Sequence, residues 1–313
     1  MSRIAALILS VLISVDVTTR SEQSKQAHQS PDLPQAIEFV RPSVVQVVAL
    51  LRAKPNPTQP FAIPVIPIKI PLGTGFLVNE DGYVITARHV AEAIQQIQFD
   101  GQKRLEVALA FPNVENYKAS GGGMISIRGA FTLFESQVVE EDARHDLALL
   151  KLENNPFAGN VPAIISGGPG LLHKAAVLSP TRPREGERIA VSGYPFGSPV
   201  LVTTSGNLAS AWTDDTEYVQ VPGAPQGFTM PDVADFYLAD MRVNPGNSGG
   251  AVYSVEDGAV IGVCVAFHIA PVMNGDQIAG PLSYNSGISI VVPIRYAIYL
   301  LNKHNLKWTE LSH

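Results

Sequence analysis

Three short stretches of this chain carry side chains that could do chemistry together: a glycine-flanked serine, a histidine after a strand, and an aspartate that opens one. The serine is Ser248 in Asn244-Pro-Gly-Asn-Ser-Gly-Gly250. A serine hydroxyl is a poor nucleophile unless a base takes its proton and hydrogen-bond donors receive the oxyanion that forms. Glycines on both sides let backbone N–H groups turn inward with no Cβ in a substrate's way, and the amides of Gly246 and Ser248 are the expected donors. The histidine is His89 in Tyr83-Val-Ile-Thr-Ala-Arg-His-Val90, placed by this reading in a short turn at a strand's end. The aspartate is Asp146 in Asp146-Leu-Ala-Leu-Leu-Lys-Leu152, at the lip of what reads as an alternating strand. Taken singly, each has a plainer reading: a Gly-rich turn, a structural histidine, a strand that begins with a charge. Asp142 and His145 lie close by, and strand alternation points His145 away from Asp146.

Jointly the three spell a reaction. A base, the carboxylate that orients it and an activated alcohol occur in the order His89, Asp146, Ser248, the first two in one half of the chain and the third in the other. That set suits acyl transfer, with His89 taking the Ser248 proton. Gly246-Asn-Ser-Gly-Gly250 also satisfies G-x-S-x-G, the strand–serine–helix elbow of esterases. Here Ala251-Val-Tyr-Ser-Val255, Glu256-Asp-Gly258 and Ala259 to Phe267 read as a hairpin, which leaves that elbow no helix. The seven histidines are scattered, without the spacing of a metal site, and no metal or cofactor is expected.

The elements that must position these residues read as short strands. Charged residues are 16% and apolar ones 46%, with 26 Gly and 24 Pro, a mixture suited to strands and tight turns. Val44 to Leu50, Phe76 to Val78, Tyr83 to Thr86 and Leu147 to Leu152 are strand candidates of the first half. Asn79-Glu-Asp-Gly82 places a glycine where a hairpin needs positive φ. The second half offers Arg188 to Ser192, Val200 to Thr204, Asp235 to Met241 and Ala259 to Phe267. Two insertions, Asp214 to Asp232 and His268 to Asn285, interrupt it. One helix is expected at the end, with Pro293 at its first position and Ile294, Ala297, Ile298 and Leu301 on one face. Pro55 to Pro71 is proline-studded and expected as a projecting loop. The result is an all-β chain of two packed barrels rather than a βαβ fold.

Composition also limits partners and surroundings. A net charge of -6 with no basic stripe argues against nucleic acid. The one cysteine, Cys264, sits in the apolar run Val260 to Phe267 and is expected as a buried structural thiol. Met1-Ser-Arg3, an apolar run from Ile4 to Val15 and a polar stretch to Ser30 have the proportions of a signal peptide over residues 1–20. The run is too short to span a bilayer. The expectation is therefore an exported protein, periplasmic or secreted, with a linker over 21–35 and no integral membrane domain.

The chain resembles the trypsin-like serine peptidases, closest to their HtrA/Deg branch. The likeness runs from Ala36 to Asn302 and rests on Pro42-Ser-Val-Val-Gln-Val-Val48, Gly73-Thr-Gly-Phe-Leu-Val78, Gly82 to His89, Asp146 to Lys151, Gly193-Tyr-Pro-Phe-Gly197, Asn244 to Ala251 and Gly287 to Ile294. It implies two six-stranded antiparallel β-barrels of the chymotrypsin type, over 36–160 and 184–303, with a C-terminal helix. It implies a serine endopeptidase in which His89 is the general base, Asp146 orients it and Ser248 attacks the scissile carbonyl. Val243, Ala266, Phe267 and His268 match the positions that line the primary pocket. Arg242, rather than an acid, stands upstream of Ser248, so the resemblance points to a small or medium apolar residue before the cleaved bond. Protein or peptide substrates are the expected partners, and 55–71 is a possible oligomer contact. The chain departs from the branch in its proline-rich loop, its two insertions, and the lack of a PDZ domain after the last helix. A silent relative of the same fold that only binds proteins is the alternative.

Overall fold

The computed structural model describes residues 32–54, 67–110, 117–118, 124–125, 131–153, 173–211, 235–274 and 277–311. Of the expectations above, the signal peptide, most of the linker, the insertion 214–232 and residues 55–66 of the projecting loop lie outside them.

The first element is a helix, α1 (Leu33–Val40), that falls partly within the expected linker. Asp32 caps it, accepting from the Gln35 amide at 3.2 Å, and Pro34 lies in its first turn, where a missing N–H costs nothing. It buries Ala36 and Val40 and delivers the chain to β1 (Val44–Ala53), whose first eight residues are all buried. β1 pairs with β2 (Ile68–Leu77). The expected projecting loop therefore ends sooner than read, because Ile68 to Pro71 are already in the ladder opposite Leu51 to Val48. The register slips between Val47 and Val48, opposite Gly73 and Pro71. A bulge is the place in a ladder that tolerates a proline without its N–H.

Asn79 builds the next turn: its Oδ1 accepts from the amides of Asp81 and Tyr83 at 3.1 and 3.2 Å, and Gly82 takes φ 82°. β3 (Tyr83–Ala87) follows, then α2 (Arg88–Gln96), a helix where a short turn was expected. β4 (Gly101–Ala110), the two-residue pair β5 (Tyr117–Lys118) and β6 (Met124–Ile125), β7 (Phe131–Asp142) and β8 (Leu147–Leu152) complete the first half. Six strands close a barrel in the order β1-β2-β3-β8-β7-β4. β8 does not alternate as read: five of its six residues are buried, since one face fills the barrel and the other is covered by neighbouring elements.

The second half contains β9 (Val177–Leu178), β10 (Arg188–Gly193), β11 (Val202–Ala211), β12 (Tyr237–Asp240), β13 (Ala251–Ser254), β14 (Val260–Asn274) and β15 (Gln277–Pro293). The order is β13-β10-β11-β12-β15-β14, and a β13–β14 pairing closes these six into a second barrel. β9 and β16 (Thr309–Glu310) add two short parallel pairings beside β14. The turn between β13 and β14 uses Gly258 at φ 73°. The described backbone of the second insertion, residues 268–274 and 277–285, is not a separate loop but belongs to β14 and β15, which pair along it.

The last helix, α3 (Ile294–Lys303), buries Ile294, Ala297, Ile298, Leu300 and Leu301, while Pro293 stands just before it as the N-cap residue. α3 also ties the two barrels together. Tyr296 stacks on His145 with ring centroids 3.6 Å apart, and its hydroxyl donates to Asp235 at 2.8 Å. Arg295 pairs with the same buried carboxylate. Lys303 and His304 pair with Glu140 of β7.

Candidate active site

His89 is the second residue of α2, and Asp146 is what starts that helix. A helix begins with backbone N–H groups that have no partner inside it. Ala87, at the N-cap, has no side chain to offer. Asp146 supplies the partners from the start of the neighbouring strand, β8, whose Leu147 pairs with Ala87: its carbonyl accepts from Arg88 N at 2.9 Å and its Oδ1 from His89 N at 2.9 Å. Its Oδ2 lies 2.6 Å from His89 Nδ1. One carboxylate thus caps the helix and orients the ring that the helix carries. A carboxylate can only accept, so Nδ1 carries the proton of the neutral imidazole and donates it to Asp146, which leaves Nε2 as an acceptor. The aspartate is 14% exposed and the histidine side chain 48%, so the acid is covered while the base faces outward. Asp146 reaches this pose at φ 52°, a left-handed conformation that aspartate tolerates better than most residues. The neighbouring Asp142 and His145 pair with each other instead, with His145 Nδ1 2.6 Å from Asp142 Oδ2.

Ser248 sits in the loop between β12 and β13, pressed against the strand that leads to His89. A Cβ built on Gly249 would lie 2.1 Å from Thr74 O, 2.3 Å from Thr86 Oγ1 and 2.8 Å from Ala87 N. Only glycine fits such a space, and at φ 83° only glycine takes the conformation easily. The loop is further held by Gly249 N to Cys264 O at 2.7 Å, Cys264 N to Gly250 O at 2.9 Å and Thr74 N to Ser248 O at 2.9 Å. The Ser248 hydroxyl points to Val265 O at 3.5 Å, the outer limit of a hydrogen bond. Among the described residues it makes no hydrogen bond to His89.

The amides of the loop divide into two sets. Asn247 N donates to Asn244 O at 3.0 Å, and Gly250 N to Asn247 O at 2.9 Å. Among the described residues, Gly246 N and Ser248 N donate to no backbone carbonyl. A trans peptide holds its C=O and N–H on opposite sides. Pro245 O is taken by Phe196 N at 2.7 Å, and Asn247 O by Gly250 N. The Gly246 and Ser248 N–H groups therefore face away from those bonded carbonyls.

Of the pocket candidates, Val243 is buried and Phe267 is half-buried against the same apolar cluster of the second barrel. Ala266 is half-buried on β14 beside it. His268 lies on β14, and its side chain is outside the described residues. The strand β13 follows Ser248 where an esterase elbow would need a helix. No group of three or more His, Cys, Asp or Glu that could hold a metal ion occurs among the described residues. Sequence reasoning passed over Thr74, Thr86 and the turn Tyr194 to Gly197, all of which touch this loop. The motifs Gly73-Thr-Gly75 and Gly193 to Gly197 were visible, but nothing local in them names their partners.

The family model for the trypsin-like peptidase domain matches residues 73–263, more than half of the chain and all three candidate segments. The chain belongs to the trypsin-like peptidase family. Curated relatives of this chain include "Probable periplasmic serine endoprotease DegP-like" of Chlamydia muridarum, 28% identical over 218 residues, which are 69% of this chain and 30% of the relative. Another is "Serine protease HTR4" of Bos taurus, 27% identical over 279 residues, 88% of this chain and 42% of that protein. The chain spans about a third of the length of the DegP-like relatives it matches. Among solved structures, the HtrA-type protease AlgW with a decapeptide superposes with a TM-score of 0.54 at 20% identity, over 87% of this chain and 67% of that one. That likeness supports the two-barrel, trypsin-like fold.

Proposed function

We propose that this member of the trypsin-like peptidase family is a serine endopeptidase, with His89, Asp146 and Ser248 as its triad and the Gly246 and Ser248 amides as its oxyanion hole. The observation that carries the reading is the pair of hydrogen bonds that the Asp146 carboxylate accepts from the amide and the ring of His89, made beside a serine loop with two amides that, among the described residues, donate to no backbone carbonyl. The mechanism requires the Ser248 hydroxyl to exchange its long contact with Val265 O for the His89 imidazole, and catalytic hydrogen bonds often tighten only when substrate is bound. Ser248 Oγ then attacks the scissile carbonyl carbon while its proton passes to His89 Nε2. The C=O electron pair moves onto oxygen, where the two amides receive it. Collapse breaks the C–N bond, and His89 returns the proton to the leaving amine. Water repeats the cycle on the acyl-enzyme, releasing the acid and free Ser248.

The substrates are protein or peptide chains. Val243 and Phe267 meet in one apolar cluster, which supports a pocket for a small or medium apolar side chain, completed by Ala266 and His268. Export follows from the signal-like start, and relatives named as periplasmic support it. No helix among the described residues is long and apolar enough to cross a membrane.

The test is labelling by a fluorophosphonate together with hydrolysis of a fluorogenic peptide. Ser248→Ala abolishes labelling and cuts hydrolysis by about 10⁴-fold or more. Folded wild-type protein that neither labels nor hydrolyses any peptide of a diverse library would point instead to a binding module. Labelling that survives His89→Ala would overturn the choice of base.

A further inference from the structure

Thr74 lies in the first barrel, on β2, yet it bonds at three points to the part of the second barrel that holds Ser248. Its amide donates to Ser248 O at 2.9 Å. Its hydroxyl donates to Gly246 O at 2.6 Å and accepts from Tyr194 N at 3.0 Å. The side chain is fully buried, so water does not replace these bonds if the hydroxyl is lost. Its carbonyl in turn accepts from Thr86 Oγ1 at 2.6 Å, three residues before His89.

The hydroxyl sits where the loop is weakest. Gly246 takes φ 99°, and a glycine flanked by two peptide planes resists their rotation least. The plane before it carries the Gly246 N–H, and its carbonyl, Pro245 O, is held by Phe196 N. The plane after it is held through Gly246 O by Thr74 itself. Phe196 belongs to the turn whose first amide, Tyr194 N, is also held by Thr74. The turn is a strained one, with Phe196 at φ 52°, and it packs so closely that a Cβ on Gly246 would meet Tyr194 O at 2.5 Å and Phe196 N at 2.9 Å. One hydroxyl therefore fixes both planes, one directly and one through the turn. Turning the first plane over would carry the Gly246 N–H out of the site and put a carbonyl in its place.

We propose that Thr74 is a positioning residue: its hydroxyl holds the Gly246 peptide planes in the pose that presents the Gly246 N–H to an oxyanion. This rests on the serine-peptidase reading above. The contribution falls on the transition state, because the ground-state carbonyl of a bound substrate asks little of that donor while the tetrahedral oxygen asks much.

Thr74→Val removes the hydroxyl at constant shape. The expected result is a kcat lower by about 10- to 100-fold, below the 10²–10³-fold typical when a donor itself is removed, with KM within about 3-fold. The affinity of a peptide aldehyde, whose adduct carries an oxyanion, falls by a similar factor. Binding of the uncleaved peptide, measured with Ser248→Ala and Ser248→Ala/Thr74→Val, stays within about 3-fold. Thr74→Ser restores kcat to within about 3-fold of wild type. Ser136→Ala, which deletes a buried hydroxyl bonded to Leu105 O at 3.0 Å far from the loop, lowers the unfolding temperature without lowering kcat. If Thr74→Val does not fold, Thr74→Ala carries the same expectations. The inference is overturned if wild type is active and the valine variant keeps its kcat, if KM takes the loss, or if serine fails to rescue. An inactive, unlabelled wild type sinks the peptidase reading itself, and this inference with it.

Discussion

Asp146 performs two tasks, and two substitutions separate them. Asp146→Asn keeps an oxygen for the His89 amide, the 2.9 Å bond that caps α2, and asparagine caps helices about as well as aspartate. Its NH₂ then faces His89 Nδ1 in place of the oxygen now 2.6 Å away. A donor there forces the ring proton to Nε2, and an Nε2 that carries a proton cannot accept one from Ser248. The expected fall in kcat is about 10⁴-fold, or about 5 kcal/mol of barrier. The unfolding temperature moves little. Asp146→Ala loses the ring contact and the cap together, and a lost cap costs about 0.5–2 kcal/mol. In a domain of this size each kcal/mol is worth about 2–4 °C in Tm. The alanine variant is therefore as inactive as asparagine but melts several degrees lower. Peptide hydrolysis and fluorophosphonate labelling read the first effect, and differential scanning fluorimetry reads the second. An asparagine variant with more than a tenth of wild-type activity, or alanine and asparagine variants of equal Tm, would refute the double role.

Two further outcomes are open to measurement. Burial holds the carboxyl of Glu106, on β4, above its ordinary value, against the pull of Arg52 and Arg104. A carboxyl raised in the folded state is penalised once it ionises, so the penalty is absent below about pH 4.5 and grows as pH rises through the folded value. Glu106→Gln is thus more stable than wild type at pH 8, and the gain disappears near pH 4; a gain that persists in acid counts against burial as the cause. Burial also pushes the Cys264 thiol up to about 12. Ellman's reagent at pH 8 leaves the native protein unlabelled and labels one thiol in 6 M guanidinium; fast labelling of native protein contradicts a sealed β14.

The two-barrel architecture was readable from short apolar runs and from glycines at Gly82 and Gly258, because turn chemistry is local. α2 was not readable, and the reason is physical. Its cap is not in the preceding residues but in Asp146, nearly sixty positions on, so no start signal stands before Arg88. β4 and β7 were passed over as well, since charges such as Arg104 and Glu135 interrupt them and are matched only across the ladder, where the two pair. Pro71 misled because a proline argues against a strand unless the bulge that shelters it is known. The nucleophile loop shows the same limit. Asn244 to Gly250 announces a special turn, but the bonds from Thr74 and Phe196 come from segments 172 and roughly fifty residues away.

The placement of His89 and Asp146 on one barrel and Ser248 on the loop of another has a consequence during synthesis. The first barrel, β1 to β8, is complete when the ribosome has made residue 152, and the serine follows roughly a hundred residues later. At ordinary elongation speeds that is an interval on the order of ten seconds. Throughout it the emerging polypeptide holds His89 and Asp146 but not Ser248, the alcohol that the proposed mechanism has them activate. On the proposed peptidase reading, a product truncated in that interval lacks its nucleophile, and hydrolysis becomes open to the molecule only with the half that carries Ser248.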